Sequence, residues 1–360
     1  MKRSKNLIVL SVALLCGTLS NIGQASPLSQ KFKNWGLINF EEKSHIQAVD
    51  AWKIEEGKRD IVVAVIDTGI DSTHKSLAVN IWHDPKQKTQ YGWNFVTNQP
   101  NPKDDHGHGT HVAGIIGAIA DPNSGVSGVA HRVSIMAVKY YSESNPGSVN
   151  LKNTIKAIDY AVNHGARIIN YSGGGPEFSQ EEYLAIKKAE AKGVLFVSAA
   201  GNERQNSDQH ENFYYPSAYR ISNIISVAAT DIHNRLLESS NWGKRNVDVA
   251  APGESIYSTL PGGRFGYMSG TSQATAFVSG MAALLLSKDP KLTPQQLKEI
   301  ILASVDRVSS LSEKVATGGR VNAYRALLTL QNRGTVPTGL GLIAHRPSFL
   351  GDALSVEGPN

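Results

Sequence analysis

Residues 104–111 read DDHGHGTH, so three histidines fall within six positions, behind two carboxylates. Two chemistries suit such a stretch. Closely spaced imidazoles can gather a metal ion, or one imidazole can serve as general base for a hydroxyl elsewhere in the chain. The octapeptide alone does not choose, but three distant residues bear on it. Asp67 ends the apolar run VVAVID, where a carboxylate is costly unless paired; in isolation it reads equally well as a turn or capping residue. Ser272 lies in SGTSQATA, just inside a helix start, where free N–H groups favour developing negative charge; alone it would be an N-cap. Asn202 ends VSAAGN with an amide that can donate to an oxyanion. In chain order Asp67, His108 and Ser272 follow one of the known orders of acid, base and nucleophile. A serine hydroxyl is a weak nucleophile at neutral pH. It needs a histidine to take its proton, and the histidine needs a carboxylate to fix its tautomer.

Such residues must be held by a frame, and the frame is legible in the periodicities. RDIVVAVID is a near-continuous β-branched run, the pattern of a strand buried on both faces of a parallel sheet. VSIMAVKYY, ARIINYS, VLFVSAA and NIISVAA repeat it. Between them lie helical patterns: HGTHVAGIIGAIA, NLKNTIKAIDYAVNHG ending on Gly165, and SQEEYLAIKKAEAKG ending on Gly193. Ser179 and Glu182 have capping-box spacing. TSQATAFVSGMAALLLS reads as a buried helix, and LTPQQLKEIILAS starts with Thr293 as cap and Pro294 at its first position. Alternation of strand and helix from about Ile61 to Leu330 predicts an α/β fold, a mostly parallel sheet with helices on both faces in a single catalytic domain.

Taken together, AVIDTGID, HGTHVAG, INYSGGGP, AAGN, APGESIYSTLPGG, SGTSQATA and GRVNAYRAL resemble the subtilisin-like serine proteases (subtilases) across about residues 45–330. The resemblance implies Asp67 as orienting acid, His108 as general base, Ser272 as nucleophile and Asn202 as oxyanion donor. It implies that Ser172, Gly173 and Gly174 pair with the substrate backbone as an added strand, with Gly147 on the opposite edge. It also places the pocket for the residue before the scissile bond at Gly173, Ala200, Gly201, Glu203 and the stretch Tyr214 to Ser217. The chain departs from the family pattern in places. Gly173 replaces a larger apolar residue and should open one wall; Tyr214 is bulky and should shorten the pocket. Glu203 at the rim should admit some Lys or Arg beside a medium apolar preference. Gln273 makes the surroundings behind the nucleophile more polar. No cofactor is required for the chemistry, and structural calcium is unsupported at the family's common site, where Ser76 replaces an aspartate and the loop 118–128 is altered. The histidine cluster also has the spacing of the metallo-β-lactamase-like hydrolases, but Thr110 stands where their aspartate ligand is required and Ser272 would go unexplained. His111 is then expected inside its helix, and His106 and the two aspartates in a solvated loop. A rival from another class is a catalytically silent relative that binds peptides in the same cleft.

The 360-residue chain carries a formal +5, but Lys2, Arg3 and Lys5 supply three of those charges. They open MKRSKNLIVLSVALLCGTLSNIGQAS, which has the basic head, apolar stretch and small residues (Gly23, Ala25) of a secretory leader. The mature chain would carry about +2, too little to point to a nucleic-acid partner. The only cysteine, Cys16, lies inside the leader. The expected organisation is a signal peptide over 1–25, a short segment over 26–44, the peptidase domain over 45–330 and a tail over 331–360. The product is a secreted monomer, extracellular or periplasmic, without a membrane span, acting on protein or peptide substrates.

Overall fold

The computed structural model describes residues 32–39 and 41–333. The expected leader and all of the tail beyond residue 333 lie outside them. In chain order the elements are α1 (Ala48–Trp52), β1 (Val62–Asp67), β2 (Gly92–Asn94), α2 (His108–Gly117), β3 (Ser134–Lys139), α3 (Gly147–Asn163), β4 (Ile168–Tyr171), α4 (Gln180–Ala191) and β5 (Leu195–Ala199). They continue with β6 (Ile224–Thr230), β7 (Val249–Pro252), β8 (Ile256–Leu260), β9 (Arg264–Met268), α5 (Thr271–Lys288), α6 (Pro294–Ala303), β10 (Asp306–Arg307), β11 (Gly319–Arg320) and α7 (Ala323–Asn332). Nine strands form one sheet in the order β10-β11-β7-β6-β5-β4-β1-β3-β2. Its pairs are parallel except β10 with β11. β8 and β9 make a separate antiparallel hairpin.

The unbroken apolar run of β1 has a direct cause. Successive side chains point to opposite faces, and both faces are covered. Val63 and Val65 join a core with Val112, Ile115 and Ile116 of α2 and Val278 and Leu285 of α5. Ala64 and Ile66 join a second core with Ile158 and Ala161 of α3 and Ile186 of α4. α5 is buried from Thr271 to Ser287, as a helix without a polar face must be. It crosses beneath the sheet and delivers its amino end to the edge where β1, β4 and β5 terminate.

Two local expectations are amended. α3 begins at Gly147, three residues before Asn150, because Pro146 supplies its first carbonyl acceptors. At α4 only half of the capping box forms. Ser179 Oγ accepts the Glu182 N–H at 3.2 Å, but the Glu182 carboxyl turns inward and accepts the Tyr219 hydroxyl at 2.7 Å. A full box forms instead at α6, between Thr293 and Gln296.

Candidate active site

The strand order reverses around β1, and the carboxyl ends of strands at such a point form the natural cleft of an open α/β sheet. Asp67 is the last residue of β1 and is buried; His108 is the first residue of α2. His108 Nδ1 lies 2.8 Å from Asp67 Oδ1. That contact holds the imidazole proton on Nδ1 and leaves Nε2 as the accepting nitrogen. Burial works against charge on the ring, but the Asp67 carboxylate, with Asp104 behind it, outweighs burial and raises the His108 pKa above its ordinary value.

The approach of α2 to β1 is close enough to require glycine at position 109. A Cβ there would stand 2.2 Å from the Gly69 carbonyl oxygen and 3.1 Å from the Asp67 side chain. The corner is tied by Asp104, which is buried and not a solvated loop residue as expected. Its Oδ1 accepts the Thr68 hydroxyl and the N–H groups of His106 and Gly107; its Oδ2 accepts the N–H and hydroxyl of Thr110. A carboxylate at a helix amino end satisfies donors that the helix itself cannot. These bonds outdo burial and hold the Asp104 pKa below its usual range. Asp105 does fit the solvated expectation, although it also accepts the buried Lys139 ammonium at 2.7 Å, and that ammonium donates to the Thr68 carbonyl at 2.6 Å.

Ser272 is the second residue of α5 and is buried at the cleft floor. Its Oγ donates to the Ser172 carbonyl at 3.1 Å, not to His108. Asn202, just past β5, accepts the Thr271 N–H with its side-chain oxygen at 3.0 Å. That bond assigns the oxygen to the helix and leaves the NH₂ able to donate at the start of α5. Gln273 is buried behind Ser272, and its Nε2 has no hydrogen-bond partner.

Ser172, Gly173 and Gly174 extend β4 beyond Tyr171, and Ala200 and Gly201 extend the neighbouring β5. Gly173 does not open a wall: a Cβ there would stand 2.1 Å from the Tyr140 hydroxyl, which fills the space. Gly147 opens α3 and is exposed, sharing no hydrogen bond with the residues above. One residue gave no signal in the sequence. Asn241 is fully buried 40 residues downstream and holds the loop after β5: its N–H donates to the Gly201 carbonyl, its Nδ2 to the Ala200 carbonyl and Glu203 Oε2, and its Oδ1 accepts the N–H groups of Glu203 and Gln205.

The other two histidines face elsewhere. His111 is buried, with Nε2 on the carbonyls of Ile256 and Gly266 at 3.0 and 3.3 Å, and burial lowers its pKa to about 4. His106 is exposed, with Nε2 3.3 Å from a Glu143 carboxylate oxygen. Its ring centre is 6.3 Å from that of His108. Among the described residues no three histidine, cysteine or acidic side chains converge as metal ligands do.

Residues 58–326 match the sequence model of the subtilase family. The chain belongs to that family. The subtilase is 38% identical over 282 residues to thermitase of Thermoactinomyces vulgaris, an alignment covering 78% of this chain and 93% of thermitase. It is 39% identical over 258 residues to the major intracellular serine protease of Bacillus subtilis, covering 71% and 77%. Among solved structures, a cold-adapted subtilisin-like serine proteinase superposes with TM-score 0.61 at 31% identity, covering 72% of this chain and 88% of that one. A protease from Pseudoalteromonas arctica superposes with TM-score 0.70 at 26% identity, covering 83% and 98%. The subtilase is a serine endopeptidase acting on protein or peptide substrates, on a mostly parallel α/β domain.

Proposed function

We propose that hydrolysis in this subtilase runs through an acyl-enzyme on Ser272, with His108 as general base, Asp67 as orienting acid, and Asn202 with the Ser272 N–H as oxyanion hole. The observation that carries this reading is the 2.8 Å contact of His108 with Asp67 at the end of β1. The substrate backbone lies along Ser172–Gly174 as an added strand. A rotation of Ser272 about its Cα–Cβ bond takes Oγ from the Ser172 carbonyl to His108 Nε2. Nε2 removes the hydroxyl proton as Oγ bonds to the scissile carbonyl carbon, and the carbonyl oxygen takes the negative charge. Asn202 Nδ2 and the amino end of α5 meet that charge as donors already fixed in place. The C–N bond then breaks and His108 returns the proton to the leaving amine. A water molecule repeats the sequence and frees Ser272. His108 must be neutral to begin, so activity falls as pH drops through its raised pKa. Fluorophosphonates require an activated serine, so such a probe should label the wild type on Ser272 and leave Ser272→Ala unlabelled. Labelling of that variant at another residue would overturn the assignment.

We further propose that the family's common calcium site does not bind calcium here. Four groups of this chain support that reading. Ser76 stands in place of an acidic ligand. The Asp121 carboxylate is engaged by Ser124 and the Asn123 N–H, the Lys75 ammonium lies 3.7 Å from it, and the Lys33 N–H donates to the Gly125 carbonyl. A divalent cation would sit beside an ammonium that already supplies the charge. The leader and the modest mature charge support a secreted monomer that needs no nucleic acid, and no helix among the described residues is long and apolar enough to cross a membrane. The protein should be recovered outside the cytoplasm with an amino terminus at Ser26; recovery only inside the cytoplasm, with Met1 retained, would refute export.

A further inference from the structure

The acyl-enzyme fixes where the side chain of the residue before the scissile bond must go. Its carbonyl carbon is on Ser272 and its carbonyl oxygen faces Asn202. Its backbone runs along Ser172–Gly174. The side chain therefore enters the gap between two neighbouring chain segments, 172–174 beyond β4 and 200–202 beyond β5, which separate after their last paired residues Tyr171 and Ser198. In this chain the gap is occupied. Tyr214 reaches into it because the next residue, Tyr215, is bonded to Gly175 in both directions, at 2.8 and 3.0 Å. A Cβ on Gly174 would stand 2.3 Å from the Tyr214 ring, and a Cβ on Gly201 would stand 3.0 Å from the same ring. The ring thus touches both walls at once. Glu203 closes the rest: its Oε2 would lie 2.4 Å from a Cβ on Gly201, and it accepts Asn241 Nδ2 at 2.6 Å.

We propose that Tyr214 plugs this pocket, so that the enzyme cleaves after residues with small, uncharged side chains. The proposal rests on the Ser272 acyl-enzyme reading and deepens it. It also corrects the expectation that Glu203 would welcome Lys or Arg. That carboxylate is latched to the buried Asn241 amide at 2.6 Å and stands beside the tyrosine, so a cationic side chain entering the pocket would have to displace the ring and compete with that hydrogen bond to reach it. Gly174 has φ of +159° and Gly201 +103°, so side chains at those positions would be strained as well as crowded. The plug comes from the loop carrying Tyr214 rather than from the walls.

Two measurements test this. The first is the profile of cleavage sites made by the wild type in a denatured protein mixture; Ala, Ser and Gly should dominate before the cut. The second is kcat/KM on peptide anilides that differ only in that residue. Ala should exceed Phe and Lys by at least about tenfold, the scale on which a closed pocket discriminates bulk. Tyr214→Gly should raise the Phe-to-Ala ratio at least about tenfold. Wild-type preference for Phe, Leu or Lys in the profile overturns the plug, even where the variant does not fold. A folded variant with an unchanged ratio overturns it too. Hydrolysis of no protein or peptide at all, with no probe on Ser272, would instead refute the acyl-enzyme reading and take the plug with it.

Discussion

Two regions flank the same cleft and are held in different ways. The corner at the end of β1 and the start of α2 is fixed by hydrogen bonds to charged groups: Asp67 to His108, and Asp104 to five donors. The pocket walls are tied mostly by neutral hydrogen bonds, from Asn241 to the loop after β5 and between Tyr215 and Gly175, and the Tyr214 ring between them is held by packing against Gly174 and Gly201. Charge-assisted hydrogen bonds demand particular atoms at particular places. The packed ring of Tyr214 demands only volume, and one loop residue can change it. On the proposed roles, the chemistry rests on local motifs and selectivity on a long-range fit.

The sharpest way to break the comparison lies within the corner. His108→Ala should lose several orders of magnitude in kcat, because positioned acid–base groups contribute about 10²–10⁴ and a triad acts as a unit. His106→Ala should stay within about tenfold, less than about 1.4 kcal/mol. Equal collapse of both in steady-state kinetics would restore the metal-cluster reading. Asp104→Ala comes next. It leaves buried donors without an acceptor, so chemical denaturation should show a loss of about 3 kcal/mol. kcat should fall by up to about 10²-fold through misplacement of His108. Wild-type stability and rate together would show the corner to be held by packing, like the Tyr214 ring.

A smaller effect concerns the buried Glu182, whose pKa burial raises to about 7 against the Tyr219 hydroxyl bond. A carboxyl that holds its proton more tightly when folded stabilises below its ordinary pKa and loses that contribution as pH rises through about 7. Thermal melts at pH 5 and pH 8 should show the wild type losing more than Glu182→Gln, by up to about 3 kcal/mol. Parallel losses would contradict the buried-carboxyl assignment. The smallest effect is expected from a chelator: the loop around Asp121 already has Lys75, so EDTA should leave the melting temperature unchanged, and a drop of several degrees would reveal a bound divalent ion.

Much of this was legible in the sequence, for physical reasons. Strand runs such as VVAVID are unbroken because both faces are covered, and the alternation with helices follows from that. Asp67, His108, Asn202 and Ser272 stand at element ends that turn and cap signals mark locally. Asn241 and Tyr140 could not be read this way. Asn241 threads a loop 40 residues upstream, and Tyr140 supplies the bulk that Gly173 lacks from a different strand end. Asp104 looked solvated because its acceptors' partners, Thr68 and Thr110, come together only when α2 docks on β1. Glu182 had capping-box spacing, but a tyrosine from the loop after Pro216 drew its carboxyl inward.

The central claim is that Ser272 is a nucleophile served by His108. Pre-steady-state kinetics with an excess of an activated ester substrate, with the acylated protein digested and sequenced by mass spectrometry, tests it most directly. The account predicts a burst equal to the enzyme concentration, an acyl group on the peptide containing Ser272, and neither in Ser272→Ala, whose loss should approach the scale of about 2 × 10⁶ in kcat measured for subtilisin. Turnover by Ser272→Ala at the wild-type rate, or an acyl group on any other residue, would contradict it.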